Sequence, residues 1–171
     1  MSNFVTKPVD SLICNPFETI GKEWLLITAT NENKTNTMTA SWGGVGILFG
    51  KPVAYLFIRP QRYTKELIDA TSHFSLSVLP AQFKKQLSYF GTVSGRDEDK
   101  IATSGLSIAT ENGIPYFQDA KLVMICKKLF AQPMEETAFL DSSIVEQWYK
   151  EKDFHTMYIA EIETLFVAEN E

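Results

Sequence analysis

Several short stretches of the chain alternate apolar and polar residues with a period of two, which predicts strands rather than helices. Trp24 to Thr30 is a β-branched and apolar run, and the polar, turn-forming Asn31-Glu32-Asn33-Lys34 after it predicts a hairpin. Thr37-Met38-Thr39-Ala40-Ser41-Trp42 alternates small hydroxyl with apolar side chains, as a strand between two different environments does, and Gly43-Gly44 is expected to end it. Val53 to Ile58 is almost wholly apolar between Pro52 and Pro60, which predicts a strand buried on both faces. His73 to Leu79 alternates cleanly. Further strands are expected over Ala120 to Phe130 and His155 to Val167, the latter long enough to bend or carry a bulge. Helices are predicted at Thr64 to Ala70, Ala81 to Tyr89 and Ser143 to Lys150, the last opening on Ser143-Ile144-Val145-Glu146 with the spacing of a capping box.

Six or seven strands with short helices and no regular strand-helix alternation predict a mainly β fold. An antiparallel barrel with helical insertions fits this order better than a doubly wound parallel sheet. At 171 residues, with no repeat and no low-complexity linker, a single domain spanning 1–171 is expected. Hydrophobic residues at 44% and charged residues at 22% describe an ordinary folded domain. A net charge of −5 has the wrong sign for the electrostatic footprint of a nucleic-acid binder, so no nucleic-acid partner is expected. Cys14 and Cys126 are too far apart in sequence for a C-x-x-C pair and too few for a tetrahedral zinc set, and no metal is expected. Met1 to Cys14 lacks the pattern of a secretory signal and no run of about twenty apolar residues occurs, so a cytoplasmic location without a membrane partner is expected. Gly44-Val45-Gly46-Ile47-Leu48-Phe49-Gly50 places its third glycine one residue late for a dinucleotide fingerprint. The P-loop, zinc-protease and nucleophile-elbow motifs are absent.

Three segments carry candidate chemistry. Arg59-Pro60-Gln61-Arg62-Tyr63-Thr64 follows a buried strand and opens a helix, so two guanidiniums, a hydroxyl and free first-turn N–H groups converge as they would around a phosphate. The competing reading is a strand-helix junction with solvated arginines and Thr64 as a plain N-cap. Small side chains at Thr39, Ala40 and Ser41, beside Met38 and Trp42, would let a flat ligand lie against the strand backbone; a half-buried strand explains the same pattern. Tyr89 to Lys100 contains Gly91 and Gly95 around Thr92 and Ser94, a loop able to approach a ligand closely, or a helix-loop-helix connection with Asp97 as the cap. His155 is placed to donate a proton or to orient a ligand, since an unperturbed imidazole titrates near neutral pH; a lone strand-edge His is also often structural. His73 has no evident partner, and Cys126 reads as a small buried hydrophobe.

Taken in order from about residue 20 to 165, these segments resemble the flavin reductase-like family of FMN-binding split β-barrels, especially the branch that includes flavoredoxin. The matching pieces are Asn36-Thr37-Met38-Thr39-Ala40-Ser41-Trp42, Lys51-Pro52-Val53, Arg59-Pro60-Gln61-Arg62-Tyr63-Thr64, Phe74 to Leu79, Ser94-Gly95-Arg96-Asp97 with Asp99-Lys100, and His155 to Glu161. Ala160 departs from the Gly that many relatives carry in the closing strand. The resemblance implies a homodimer that binds FMN near its interface. It also implies an NAD(P)H-dependent oxidoreductase passing hydride or electrons through FMN to a small-molecule or protein acceptor. Two alternatives stay open: a flavoredoxin-type electron carrier without its own nicotinamide activity, and, ranked lower, an oxidase resembling those of pyridoxamine phosphate. By the same resemblance, Met38, Thr39, Ala40, Ser41 and Trp42 would line the isoalloxazine and ribityl chain, and Arg59, Arg62, Tyr63 and Thr64 would hold the phosphate. Ser94, Gly95 and Lys100 would close the site from the same chain or from the partner subunit, and His155 would stand where nicotinamide or another substrate approaches. The flavin would then carry the redox chemistry while protein groups bind, orient and tune it.

Overall fold

A computed structural model describes residues 3–32 and 34–169. In chain order its elements are β1 (Phe4–Lys7), α1 (Pro16–Glu18), β2 (Leu25–Asn31), β3 (Lys34–Ala40), β4 (Gly43–Leu48), β5 (Lys51–Ile58), α2 (Tyr63–Ala70), β6 (His73–Val78), α3 (Lys84–Thr92), α4 (Lys100–Ser104), β7 (Ile108–Glu111), β8 (Ile114–Phe117), β9 (Leu122–Pro133), α5 (Ser142–Trp148) and β10 (Thr156–Ala168). Seven strands follow one another in the order β3-β2-β6-β9-β10-β5-β4, with β1 added beside β10, and every pairing is antiparallel. Met38 and Ala40 from one end of this sheet and Val45 from the other pack into the same apolar cluster as Leu56, Leu76 and Tyr158. Opposite ends can share one core only if the sheet coils around it, so the fold is the mainly β, barrel-like one that the strand order predicts.

The β9–β10 ladder carries two bulges, one on β9 at Leu129 opposite Ile159/Ala160 and one on β10 at Glu163 between Ile162 and Thr164, and the second lets one long strand serve both faces of the sheet. Ile162 and Leu165 point into the first core, while Phe166 joins a second cluster outside the barrel. There the hairpin β7–β8 and helix α3 cover Leu26, Val123 and Ile125. Helix α2 lays Leu67 and Ile68 on the barrel core. Its C-terminal carbonyls at Ile68 and Asp69 accept from Lys128 Nζ at 2.6 and 3.1 Å, and Tyr158 donates its hydroxyl to Asp69. These bonds satisfy the helix end that has no intrahelical partners and fix where the opposite end of α2 points.

Several local expectations change. Gly43-Gly44 does not merely end a strand but begins β4, whose glycines leave room for the Tyr55 ring of β5. Strands β1, β4, β7 and β8 are too short or too glycine-rich to show a clear period. Thr64 is not the cap of α2, because the helix starts at Tyr63 with Arg62 before it. Helix α5 is capped by Asp141, which accepts from the Ser143 N–H, rather than by a box starting at Ser143, and α4 is capped by Asp99 rather than Asp97. Val53 to Ile58 is covered completely on one face and only in part on the other, where Val53 is buried. Ala54, Leu56 and Ile58 face the core, whereas Tyr55 and Phe57 stay half-buried on the outer face.

Gly43 turns the chain from β3 into β4 at φ +150°, and a Cβ there would meet the Tyr55 carbonyl oxygen at 2.4 Å. Backbone cannot yield as a side-chain tip can. Gly43→Ala is expected to destabilise the fold by about 1–3 kcal/mol, read as a lower denaturant midpoint at an unchanged m-value.

Candidate functional site

Strand β3 pairs with β2 on one side only, which leaves its other edge with unpaired backbone N–H and C=O groups. Met38 to Trp42 line a cavity of about 270 Å³ along this edge, with Phe57, Arg59, Arg62, Trp148 and His155 as the facing walls. Trp42 meets Trp148 edge-on at 5.1 Å and lies against the His155 ring at 5.0 Å. The result is a flat-sided space with an aromatic end and a polar backbone edge.

The neighbouring cavity, of about 190 Å³, has a different character. Arg62 is common to both, so the two open onto one guanidinium. Arg62 donates to the carbonyls of Gly91 at 2.7 Å and Phe90 at 3.3 Å, and Lys100 Nζ donates to those of Phe90 at 3.1 Å and Val93 at 2.9 Å. These carbonyls end α3 or follow it directly, where partial negative charge from the helix dipole offsets two crowded cations. The offset is incomplete. Burial lowers the Arg62 pKa, and burial together with Arg62 brings Lys100 down to about 8. None of the residues lining this cavity is acidic, so it holds unneutralised positive charge beside the first turn of α2. Thr64, at the second position of that turn, accepts from Asn36 Nδ2 at 3.0 Å, and among the described residues no hydrogen bond takes the hydroxyl's own proton. The arrangement suits a small dianion such as a phosphate monoester.

Ser94 and Gly95 line this cavity from the same chain as Arg62 and Thr64, so one subunit supplies them without a partner. Arg96, next in the loop, holds it down by stacking over the Tyr63 ring at 5.0 Å, pairing with Glu66 and donating to the Gln61 carbonyl at 3.1 Å. Arg59 departs from the expected phosphate cluster. Its guanidinium is paired with the Asp153 carboxylate and donates to the Trp148 carbonyl at 3.0 Å, so it ties the segment between α5 and β10 across the first cavity. His155 also departs from expectation. Burial and the nearby Arg59 push its pKa down to about 4 against an opposing effect of Asp153, so the ring is neutral at pH 7 and does not switch charge there.

Sequence reasoning missed Asn36 as a cavity residue, although it heads the strand segment singled out above. It also missed Phe57 and Trp148, which carry no local signal because the cavity residues they face lie far along the chain, and Tyr149, which stands behind His155. His73 contacts Ser72 Oγ at 2.8 Å and Glu163 at 3.2 Å, away from both cavities, and burial pushes the Cys126 thiol up. Among the described residues no group of three or more His, Cys, Asp or Glu is gathered to hold a metal, and no helix is long and apolar enough to cross a membrane.

Gly95 passes so close to β3 that a Cβ there would lie 2.2 Å from Asn36 Oδ1. The amide is buried and bonded to Thr64, so it has little freedom to yield. Gly95→Ala is expected to break the Asn36–Thr64 bond at a cost of about 1–3 kcal/mol, measured by denaturant unfolding, and to weaken binding of a phosphate monoester in the same preparation.

Comparison with known proteins accords with this geometry. The chain is 30% identical over 118 residues to the uncharacterized protein YddH of Escherichia coli K12, an alignment covering 66% of this chain and 61% of that one. It therefore spans about three fifths of that relative's length. The crystal structure of an FMN-binding domain of a flavin reductases-like enzyme from Shewanella baltica superposes with a TM-score of 0.72 over 98% of this chain and 78% of that one, at 16% identity. Flavoredoxin of Desulfovibrio vulgaris superposes with a TM-score of 0.67 over 85% of this chain and 69% of that one, at 23% identity. At these identities the likeness is one of fold. Residues 17–171 match the family model described as the flavin reductase like domain, and the chain belongs to that family.

Proposed function

We propose that the protein binds FMN and works as a flavin-dependent oxidoreductase that takes electrons from NAD(P)H and passes them to an acceptor. One observation carries this reading: a flat-sided cavity and a cationic cavity meet at Arg62, matching a planar ring system joined by a short polar chain to a phosphate monoester. Met38, Thr39, Ala40, Ser41 and Trp42 would hold the ring system. Arg62, Tyr63, Thr64, Ser94, Gly95 and Lys100 would hold the phosphate, with Asn36 orienting Thr64. Arg59 would act on the ring side instead, by fixing the wall that carries Trp148. Bound FMN supplies hydride and single-electron transfer, and the protein groups position it and exclude water. Backbone N–H groups on the free edge of β3 would meet the polar rim of the ring and favour added negative charge.

A second reading, an electron carrier reduced by a protein partner, is favoured by the exposure of Trp42 and Trp148 at 38% and 46%, which leaves an aromatic surface beside the cavity. In either reading the chain would pair with a second copy. Tyr55, Phe57, Met157, Ile159 and Phe130 lie on one outer face of adjacent strands β5, β10 and β9, an apolar stripe that the single chain leaves partly open.

The purified protein is expected to show flavin absorbance near roughly 375 and 450 nm that bleaches anaerobically with NADH or NADPH. Bands that persist until dithionite is added would favour the carrier, and failure to bind added FMN would overturn both readings. FMN affinity should also follow the charge on Lys100. The bound anion raises the Lys100 pKa above its free value of about 8, so affinity is full between the second phosphate pKa of roughly 6 and pH 8, and falls as pH rises through that bound value. Lys100→Met should bind FMN roughly 10-fold or more weakly and flatten the profile, as read by flavin fluorescence titration.

A further inference from the structure

The Tyr149 hydroxyl lies 2.7 Å from His155 Nδ1, with the two rings edge to face at 84°. Tyr149 is 2% exposed and cannot swing away. Phe154 and Phe139 pack on its ring at 4.8 and 5.5 Å, and the Arg59 guanidinium covers it at 5.2 Å. The backbone of His155 is fixed as well, because its carbonyl accepts from the Met134 N–H at 2.8 Å. Two rigid rings therefore share one short hydrogen bond. Which of them supplies its proton decides what His155 presents to the first cavity, which it lines while Tyr149 does not.

A phenol both donates and accepts, and a neutral imidazole carries one N–H and one bare nitrogen. If Nδ1 were the donor, the Tyr149 proton would be left with the thioether of Met134, 4.0 Å from the hydroxyl oxygen and a weak acceptor. If the phenol donates, both groups are matched and Nε2 keeps the ring's proton. Burial pushes the Tyr149 pKa up, so the hydroxyl retains a proton to give. The charged groups facing the imidazole are Arg59 and Asp153; Arg59 and burial together outweigh Asp153 and keep the ring neutral.

We propose that Tyr149 is a positioning residue that holds His155 as its Nε2–H tautomer, so that the ring offers the Trp42 cavity a neutral hydrogen-bond donor aimed at a carbonyl or carboxamide oxygen. The ring then selects an acceptor-bearing planar molecule and gives up no proton at neutral pH. The nature of that molecule rests on the redox reading above. The tautomer does not.

The chain has two histidines, so long-range proton-nitrogen correlation spectra of the nitrogen-15-labelled protein resolve them, with His73→Asn giving the assignment. His155 is expected to show a protonated Nε2 and a bare Nδ1 throughout pH 6 to 8. Tyr149→Phe should turn this into a mixture of tautomers, and Met134→Leu should leave it unchanged. A protonated Nδ1 in the unaltered protein, or the same single tautomer in Tyr149→Phe, overturns the proposal, whether or not the protein binds FMN. In the FMN-loaded protein, nicotinamide should bind roughly 2- to 10-fold more weakly to Tyr149→Phe, while 3-methylpyridine, which lacks the carboxamide, should be unaffected. Equal loss for both probes refutes the carbonyl assignment.

Discussion

The Phe90 carbonyl accepts from both Arg62 and Lys100, and the architecture of the site depends on that shared oxygen. Arg62 stands directly before α2, Lys100 opens α4, and Phe90 lies near the end of α3, so one backbone atom ties three helices together beside the free edge of β3. Two buried cations would repel each other in an apolar setting. Here the carbonyls at the end of α3 offset the repulsion only in part, and Lys100 is held below its ordinary pKa chiefly by burial and then by Arg62. An anion entering the second cavity would meet charge that the fold has already paid to desolvate.

Arg59 and Arg62 show how the same side chain takes opposite roles three residues apart. Arg62 finds only carbonyls and keeps its charge available, whereas Arg59 finds the Asp153 carboxylate and becomes a strut. That strut supports the wall of Trp148, Tyr149 and His155 and adds to the forces that keep the imidazole neutral. The first cavity is accordingly shaped by aromatic surfaces and directed hydrogen bonds, and the second by charge. The division suits a ligand with one planar and one anionic end.

The outer face of β5, β10 and β9 is the surface that the proposed pairing of two copies would cover. The continuous apolar run from Val53 to Ile58 indicated two buried faces, and the chain by itself covers one fully and the other at Val53 but only in part at Tyr55 and Phe57. Tyr55 and Phe57 stay half-buried on that outer face.

Period-two alternation marked β3 and β6, because each side chain's environment follows from its neighbours in the pleat, and apolar or β-branched runs marked β2 and β5. The ordered motifs determined the family, since they survive as local segments. Gly95, Ser94, Thr64 and Lys100 were legible as candidates for the same reason, while the pairing of Arg59 with Asp153, 94 residues away, was not. Nor was the neutrality of His155, which sequence alone places near its ordinary pKa and which burial beside Arg59 decides. Local sequence fixes backbone period and chemical type, but charge state and hydrogen-bond partner depend on groups that only the coiled sheet and its helices bring within a few ångströms.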